Sequence, residues 1–255
     1  VKTAKRFRAN CSGQLLIVAA LAIAILIAST SIYVYELTTE KQGVESSSLV
    51  ELALAVKAGV RNAVISALAN ITNGGSKTIL TENLDALADA YMRLHPQQPC
   101  HIRYTLLNGS GYMGGVKITW SEGLGVSSAY ILYTLKILGP ASSMTINDAV
   151  NITTALMVEG YYTIGENETI KTVNLTCKLF NEEKPAHAKN LTIYYMDDSG
   201  AWARVNSPSI TDWGNGTYSL RFTIVLVSDV VHVSVRMVDA RKILVVANVT
   251  CIQTG

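Results

Sequence analysis

The side chains that could do chemistry are few and scattered. The histidines are His95, His101, His187 and His232, and the cysteines are Cys11, Cys100, Cys177 and Cys251. His95 and His101 flank Cys100, three groups that could ligate a metal. No C-x-x-C pair and no zinc-type spacing supplies a fourth ligand, so they read as ordinary loop and strand residues. Asp197-Asp198-Ser199-Gly200 has the composition of a cation loop. It lacks the distal Glu of a calcium loop, and a β-turn asks for the same residues. No G-x-S-x-G, phosphate loop or H-E-x-x-H occurs. Catalysis needs a base, a nucleophile and an oxyanion site brought together, and nothing in the sequence proposes such a set. The chain therefore reads as a non-enzyme without cofactor or metal.

What would position these groups begins with Leu15–Tyr35, 21 residues without a charge. At about 1.5 Å per residue such a helix spans the roughly 30 Å core of a bilayer. Lys2, Lys5, Arg6 and Arg8 precede it with no acid, and Glu36 and Glu40 follow. This asymmetry predicts a single pass with the N-terminus in the cytoplasm and residues 36–255 outside. The lipid bilayer is thus the first expected partner. Of 21 Lys and Arg, 17 lie beyond the leader and face 19 Asp and Glu, a net of −2. A mildly acidic exterior excludes the basic footprint of a nucleic-acid binder.

Asn-x-Ser/Thr sites suit that topology. Outside the membrane segment they start at Asn70, Asn108, Asn151, Asn167, Asn174, Asn190, Asn215 and Asn248, with a ninth at Asn10 on the cytoplasmic side. Nine of fifteen Asn lie in such sites, where composition alone gives about 2.5. The excess predicts an extracytoplasmic glycoprotein; a Thr-rich β protein is the competing explanation.

The leader VKTAKRFRANCSG, the step Gly13-Gln14 and the apolar run after it resemble the class III signal peptide of archaeal type IV pilin-like proteins. The resemblance covers about 25 residues and implies a basic part at Lys5, Arg6 and Arg8 with cleavage between Gly13 and Gln14. It also implies homo-oligomeric assembly through the helix. Val18 stands where that family carries the Glu that registers subunits in a filament. An uncleaved signal anchor is the plainer reading.

Beyond the membrane segment, Gly43 and Ser46–Ser48 predict a break, and Ser48 with Glu51 forms a capping-box pattern for a new helix. Its stripe runs through Val56, Val60 and Val64 to Asn73-Gly74-Gly75, and a second helix carries Leu80, Leu84, Leu87, Tyr91 and Leu94. Residues 100–138 alternate with period two and predict three antiparallel strands, with turns at Asn108-Gly109-Ser110-Gly111 and Glu122-Gly123-Leu124-Gly125. A long N-terminal helix followed by an antiparallel sheet resembles the pilin-like layout. Gly139-Pro140 marks the expected boundary.

After Met144, seven strands are predicted at 150–158, 170–180, 189–196, 201–205, 217–226, 230–238 and 242–251. Seven short strands over about 105 residues predict an all-β, immunoglobulin-like sandwich. Alternation turns Val173, Leu175, Cys177 and Leu179 inward with Tyr218, Leu220, Phe222 and Ile224, and with Ile243, Val245, Ala247, Val249 and Cys251. It turns Asn174, Asn190 and Asn248 outward. Asp212-Trp213-Gly214-Asn215-Gly216-Thr217-Tyr218 resembles the entry to a late strand of prokaryotic Ig-like surface domains. Cys177 and Cys251, both inward on an early and a final strand, are expected to form a disulfide, with two free thiols or a Cys100–Cys177 bridge as the alternatives. Trp120, Trp202 and Trp213, with Tyr194 and Tyr195, are expected in the core rather than as contact residues.

The expected fold is thus α+β and membrane-anchored: a tail at 1–14, a transmembrane helix at 15–35, a pilin-like domain at 36–139 and an Ig-like sandwich at 144–255. The expected function is a cell-surface structural or adhesion protein. Its candidate partners are further copies, other surface proteins and glycans. An accessory subunit of a membrane or secretion complex is the alternative.

Overall fold

The computed structural model describes residues 11–96, 98–139, 142–165 and 168–254, with side chains inside the first helix described at 23, 24, 26–35 and from 49 onward. The basic residues at 2–8, Asn10 and Asn167 lie outside the described residues. Among the described residues there are two helices, α1 (Cys11–Thr72) and α2 (Ile79–Leu94). α1 runs through Gly13, Gln14, Gly43 and Ser48 without interruption, 62 residues in all. The expected break and the Ser48 cap are therefore not formed. One Gly costs a helix only about 1 kcal/mol, and no Pro occurs between Cys11 and Thr72. α1 crosses between two compact units that divide after Leu52.

In the first unit every described side chain from Ile23 to Tyr35 is exposed, including Ile23, Leu26, Ile27 and Ile32. In the second unit the same helix is amphipathic. Val56, Val60, Val64, Ala67 and Leu68 are fully buried, whereas Lys57, Arg61, Asn62 and Ser66 are exposed. α2 crosses it at Gly59, where an added Cβ would lie 3.2 Å from the Tyr91 hydroxyl and 3.3 Å from Leu87 Cδ1. That hydroxyl donates to the Ala55 carbonyl at 3.0 Å, so the crossing is both packed and hydrogen-bonded. Leu80 and Leu84 are buried as the stripe requires, but Leu94 at its end is exposed.

The strands are β1 (Cys100–Leu106), β2 (Val116–Trp120), β3 (Leu124–Leu138), β4 (Ser143–Ile164), β5 (Ile170–Asn181), β6 (Lys184–Pro185), β7 (Ala188–Met196), β8 (Trp202–Arg204), β9 (Ser209–Asp212), β10 (Thr217–Val225), β11 (Val231–Asp239) and β12 (Leu244–Gln253). They form one mostly antiparallel sheet. The boundary expected at Gly139 is instead a hairpin: the Gly139 N–H donates to the Ser142 carbonyl, and β3 and β4 pair from Leu138↔Ser143 to Leu124↔Met157. β4 continues past that partner to pair with β5 up to Ile164↔Lys171. The segments on either side of that expected boundary thus pair strand to strand, β3 with the 22-residue β4, and from Ala53 on they lie in one compact unit, whereas residues 36–52 fall in the other.

From β4 onward the strand order is β8-β7-β11-β12-β4-β5-β10-β9, with β12 meeting β4 in parallel at Ile252↔Tyr161. Inward residues of both arms fill a single core: Val173, Leu175 and Leu179, Leu220 and Phe222, Val233 and Val235, Val245 and Ala247. The remaining edge of β12 is closed by the turn between β2 and β3. The Gly123 N–H donates to the Asn248 carbonyl at 2.7 Å, and the Asn248 N–H donates to the Ser121 carbonyl at 3.1 Å. Gly125 makes this approach possible, since a Cβ there would fall 2.0 Å from the Val246 carbonyl oxygen.

Cys177 and Cys251 do not form the expected disulfide; both are free and buried, as is Cys100. β4 separates their strands, and two strand spacings are about 9–10 Å, beyond the 4.4–6.8 Å that a bridge spans between Cα atoms. Gly160 of β4 occupies the gap. A Cβ added there would meet Cys251 Sγ at 2.6 Å and Leu175 Cδ2 at 2.8 Å. Gly160→Ala should therefore overpack the core and cost about 1–3 kcal/mol. Thermal unfolding is the measure, with a fall in Tm of about 2–12 °C; an unchanged Tm would contradict the packing.

Burial pushes the thiols of both Cys177 and Cys251 up to about 12, with the Glu122 carboxylate adding to the effect at Cys251. Only thiolate reacts, so at pH 8 the thiolate fraction falls about a thousandfold below that of a free cysteine. Iodoacetamide should leave these two peptides unmodified in the folded protein and alkylate both in denaturant. Equal labelling in the two states would refute the burial.

Candidate functional site

The groups singled out as potential chemistry do not converge. Cys100 is buried on one face of β1 while His101 is exposed on the other, as strand alternation demands. His95 stacks on Tyr91, with ring centroids 6.1 Å apart. His232 Nδ1 lies 3.0 Å from the Thr250 hydroxyl. No cluster of three metal-ligating side chains occurs among the described residues. The Asp197 loop is a turn. Asp197 Oδ1 accepts from the Ser199 N–H and hydroxyl and from the Ala201 N–H, and these bonds hold its carboxyl below the usual range. Asp198 accepts from the N–H groups of Val227 and Ser228. Both carboxylates are thus spent on backbone.

The tryptophans correct a second expectation. Trp213 is 63% exposed, Trp202 43% and Trp120 36%, so none belongs to the core. Trp202 opens the outermost strand of one arm and Trp213 follows the outermost strand of the other, where only one strand neighbour is available to cover them. Trp213 Nε1 donates to the Ser219 hydroxyl, and Trp120 Nε1 to that of Ser127.

Among the sequons, Asn70, Asn108, Asn151, Asn174, Asn190 and Asn215 are exposed. Asn248, expected to face fully outward, is half-buried beneath the Ser121–Gly123 turn that pairs with it. Asn70 lies in the last turns of α1, and the hydroxyl of its sequon partner Thr72 is spent inside the fold. That hydroxyl donates to the Leu68 carbonyl and accepts from the Leu244 N–H.

The most site-like surface was not singled out in the sequence. It is the open face of β1, β3 and β4, opposite the face that carries the buried Ile131, Leu135 and Ile137. Register sets its rows. His101 lies beside Lys136 and Thr145, Arg103 beside Thr134 and Asn147, and Thr105 beside Leu132 and Ala149. Short central side chains leave two hollows, of about 440 and about 350 Å³, that share Arg103 and Thr134. The Thr134 hydroxyl donates to Asn147 Oδ1 at 2.7 Å, which leaves the Asn147 amide N–H groups as donors. Asp148 also lines the larger hollow, but its carboxylate is held by Lys57 at 2.7 Å and by the Ala149 N–H. Those partners keep the Asp148 carboxyl below its ordinary range, and burial together with Asp148 pushes the Tyr133 hydroxyl up to about 12. Among the described residues no ion pair involves His101, Arg103 or Lys136. The face thus presents cations and neutral hydrogen-bonding groups in a shallow trough. It has the equipment to bind and orient an anion.

The signal for it was present in Cys100–Leu106 and Leu124–Leu138, whose polar alternate residues mark a solvated face. The pairing of His101 with Lys136 depends on register, which those segments do not state. Compared with known proteins, the chain matches no family model and no curated protein.

Proposed function

We propose that this chain is a membrane-anchored, pilin-like surface protein that displays an immunoglobulin-like domain in a structural or adhesive role. One observation carries the reading. α1 is uncharged and exposed at every described side chain from Ile23 to Tyr35, with the Ser29 and Thr30 hydroxyls turned back onto the Leu26 and Ile27 carbonyls, and the same helix continues into a packed α+β unit. An uncharged, mostly apolar helix with no protein cover needs lipid or other helices around it. Leu49–Thr72 is also long and apolar enough to cross a membrane. From Ala53 on, however, Val56, Val60, Val64, Ala67 and Leu68 are taken up by the core, with Leu54 left exposed, while Lys57 and Arg61 pair with Asp148 and Glu182. Leu15–Tyr35 is the span this reading proposes.

Strand order supports the Ig-like part. The arms β4-β5-β10-β9 and β12-β11-β7-β8 have the order of the two sheets of such a domain, with the final strand beside the first. The inter-sheet bridge of antibody domains has no counterpart, since β11 carries no cysteine.

Protease treatment of intact, wall-stripped cells tests the orientation. Residues 36–255 should be digested and the N-terminal tail spared; protection of the C-terminal strands overturns it. The mass of the mature N-terminus tests cleavage between Gly13 and Gln14. On native protein, glycopeptide mass spectrometry should find glycans at several of Asn70, Asn108, Asn151, Asn174, Asn190 and Asn215, with Asn248 the least occupied. All eight, with Asn167 and Asn248 included, found unmodified would remove the glycoprotein reading.

A further inference from the structure

We propose that the open face of β1, β3 and β4 is a binding site for an acidic polysaccharide, whose carboxylates are held by Arg103, Lys136 and His101. Charge is the first argument. Beyond the leader the chain is slightly acidic, yet this face gathers three basic side chains with no acid paired to them among the described residues. The one carboxylate at its border, Asp148, is already matched by Lys57. An unneutralised basic trough attracts a polyanion, and Arg103 can hold a carboxylate in two-point contact.

Shape is the second argument. The two hollows join at Arg103 and Thr134, and the rows from Lys136 to Leu132 extend over about 14 Å of strand. That suits an extended polymer better than a single small ion.

The third argument separates sugar from peptide. On the face of a sheet every backbone N–H and C=O in the ladder is already paired. A peptide laid across β3, between β1 and β4, would find no backbone partners there; only the outer edge of β1, which pairs with β3 alone, offers any. A polysaccharide carries its hydrogen-bonding groups as hydroxyls, and Thr134, Asn147 and Thr105 answer those, with Leu132 offering an apolar contact for a sugar ring. The outward placement proposed above says only where such a ligand would be met. Binding is measured on purified protein, so either statement can fail without the other.

The test uses the full chain in detergent, made without glycosylation, with a hexamer of galacturonic acid as probe and maltohexaose as its neutral counterpart. Calorimetric titration should show the acidic hexamer binding at least tenfold more tightly than the neutral one, and weakening as salt is raised. Arg103→Ala with Lys136→Ala should reduce affinity at least tenfold while Tm stays unchanged, both side chains being exposed. Lys178→Ala, a cation on the far strand β5, should bind as the parent does. Three results overturn the proposal: equal binding of the two hexamers, equal or tighter binding of a hexa-glutamate peptide, or a self-associated chain that Arg103→Ala dissociates. The last would make a second copy the occupant. A fourth comes from native glycoprotein: failure to bind where the unglycosylated chain binds would assign the trough to the chain's own glycan at Asn151, one row beyond Ala149.

Discussion

Arg241→Ala should lower the stability of residues 53–255 by about 3–5 kcal/mol, among the largest effects of any single substitution here. Asp239 is fully buried, and its Oδ2 accepts from Arg241 Nε at 2.8 Å and from the Thr154 hydroxyl at 3.1 Å. The same guanidinium donates to Glu182 Oε1 at 2.7 Å, to the Thr153 carbonyl and to the Thr154 hydroxyl. Removing it leaves a buried carboxylate without its cation and takes from Glu182 one of its three partners. Glu182 and Glu183 both take left-handed backbone, at φ 46° and 65°, in the two-residue turn between Asn181 and Lys184. That turn disfavours side chains other than Gly and Asn. The Thr153 N–H, Arg61 and Arg241 all engage the Glu182 carboxylate, and that offsets the strain. Scanning calorimetry should show a fall in Tm of about 6–20 °C for Arg241→Ala and a smaller one for Arg241→Lys, which keeps the charge and loses the fork. A loss under about 1 kcal/mol would mean that the network contributes little.

Ile23→Asp combined with Ile27→Asp should release the protein from membranes. Each Asp near the middle of a spanning helix costs about 2.5–3.5 kcal/mol, so with the lost isoleucines the pair costs roughly 6–8 kcal/mol. Insertion then falls by a factor on the order of ten thousand or more. Carbonate-washed membranes should retain the parent chain and not the variant. Retention of the variant would move the span to Leu49–Thr72, the other stretch with the necessary length and hydropathy. Solubility of the parent without detergent would remove the anchor altogether.

The C-terminal strands were legible because their two faces differ in chemistry. Val173, Leu175, Cys177 and Leu179 are buried while Asn174 and Lys178 between them are exposed, and Tyr218, Leu220, Phe222 and Ile224 repeat the pattern. Such alternation survives reading one strand at a time. Three features did not. Gly43 and the serines after it are a weak break, and only the absence of any competing Pro decides that the helix continues. Gly139 reads the same whether it ends a domain or begins a hairpin, and the outcome rests on pairing between β3 and β4. The tryptophans look like core residues by size, yet edge strands have too few neighbours to cover them. The basic trough is the same kind of case. His101, Arg103 and Lys136 read individually as solvated positions on two strands, and only the Cα register makes them neighbours.

The unbroken course of β4 has a mechanical meaning. Its N-terminal part lies beside β3, its C-terminal part beside β5, and the two pairings overlap between Thr154 and Met157. A pull that enters at the far end of the C-terminal strands and is resisted at α1, through Lys57 on Asp148 and Arg61 on Glu182, runs along β4 itself. Rungs perpendicular to the load must shear together instead of peeling in turn. The outer strands can therefore carry tension to the base without a hinge between them, and a force spectrometer should see the two segments on either side of Gly139 rupture in a single event.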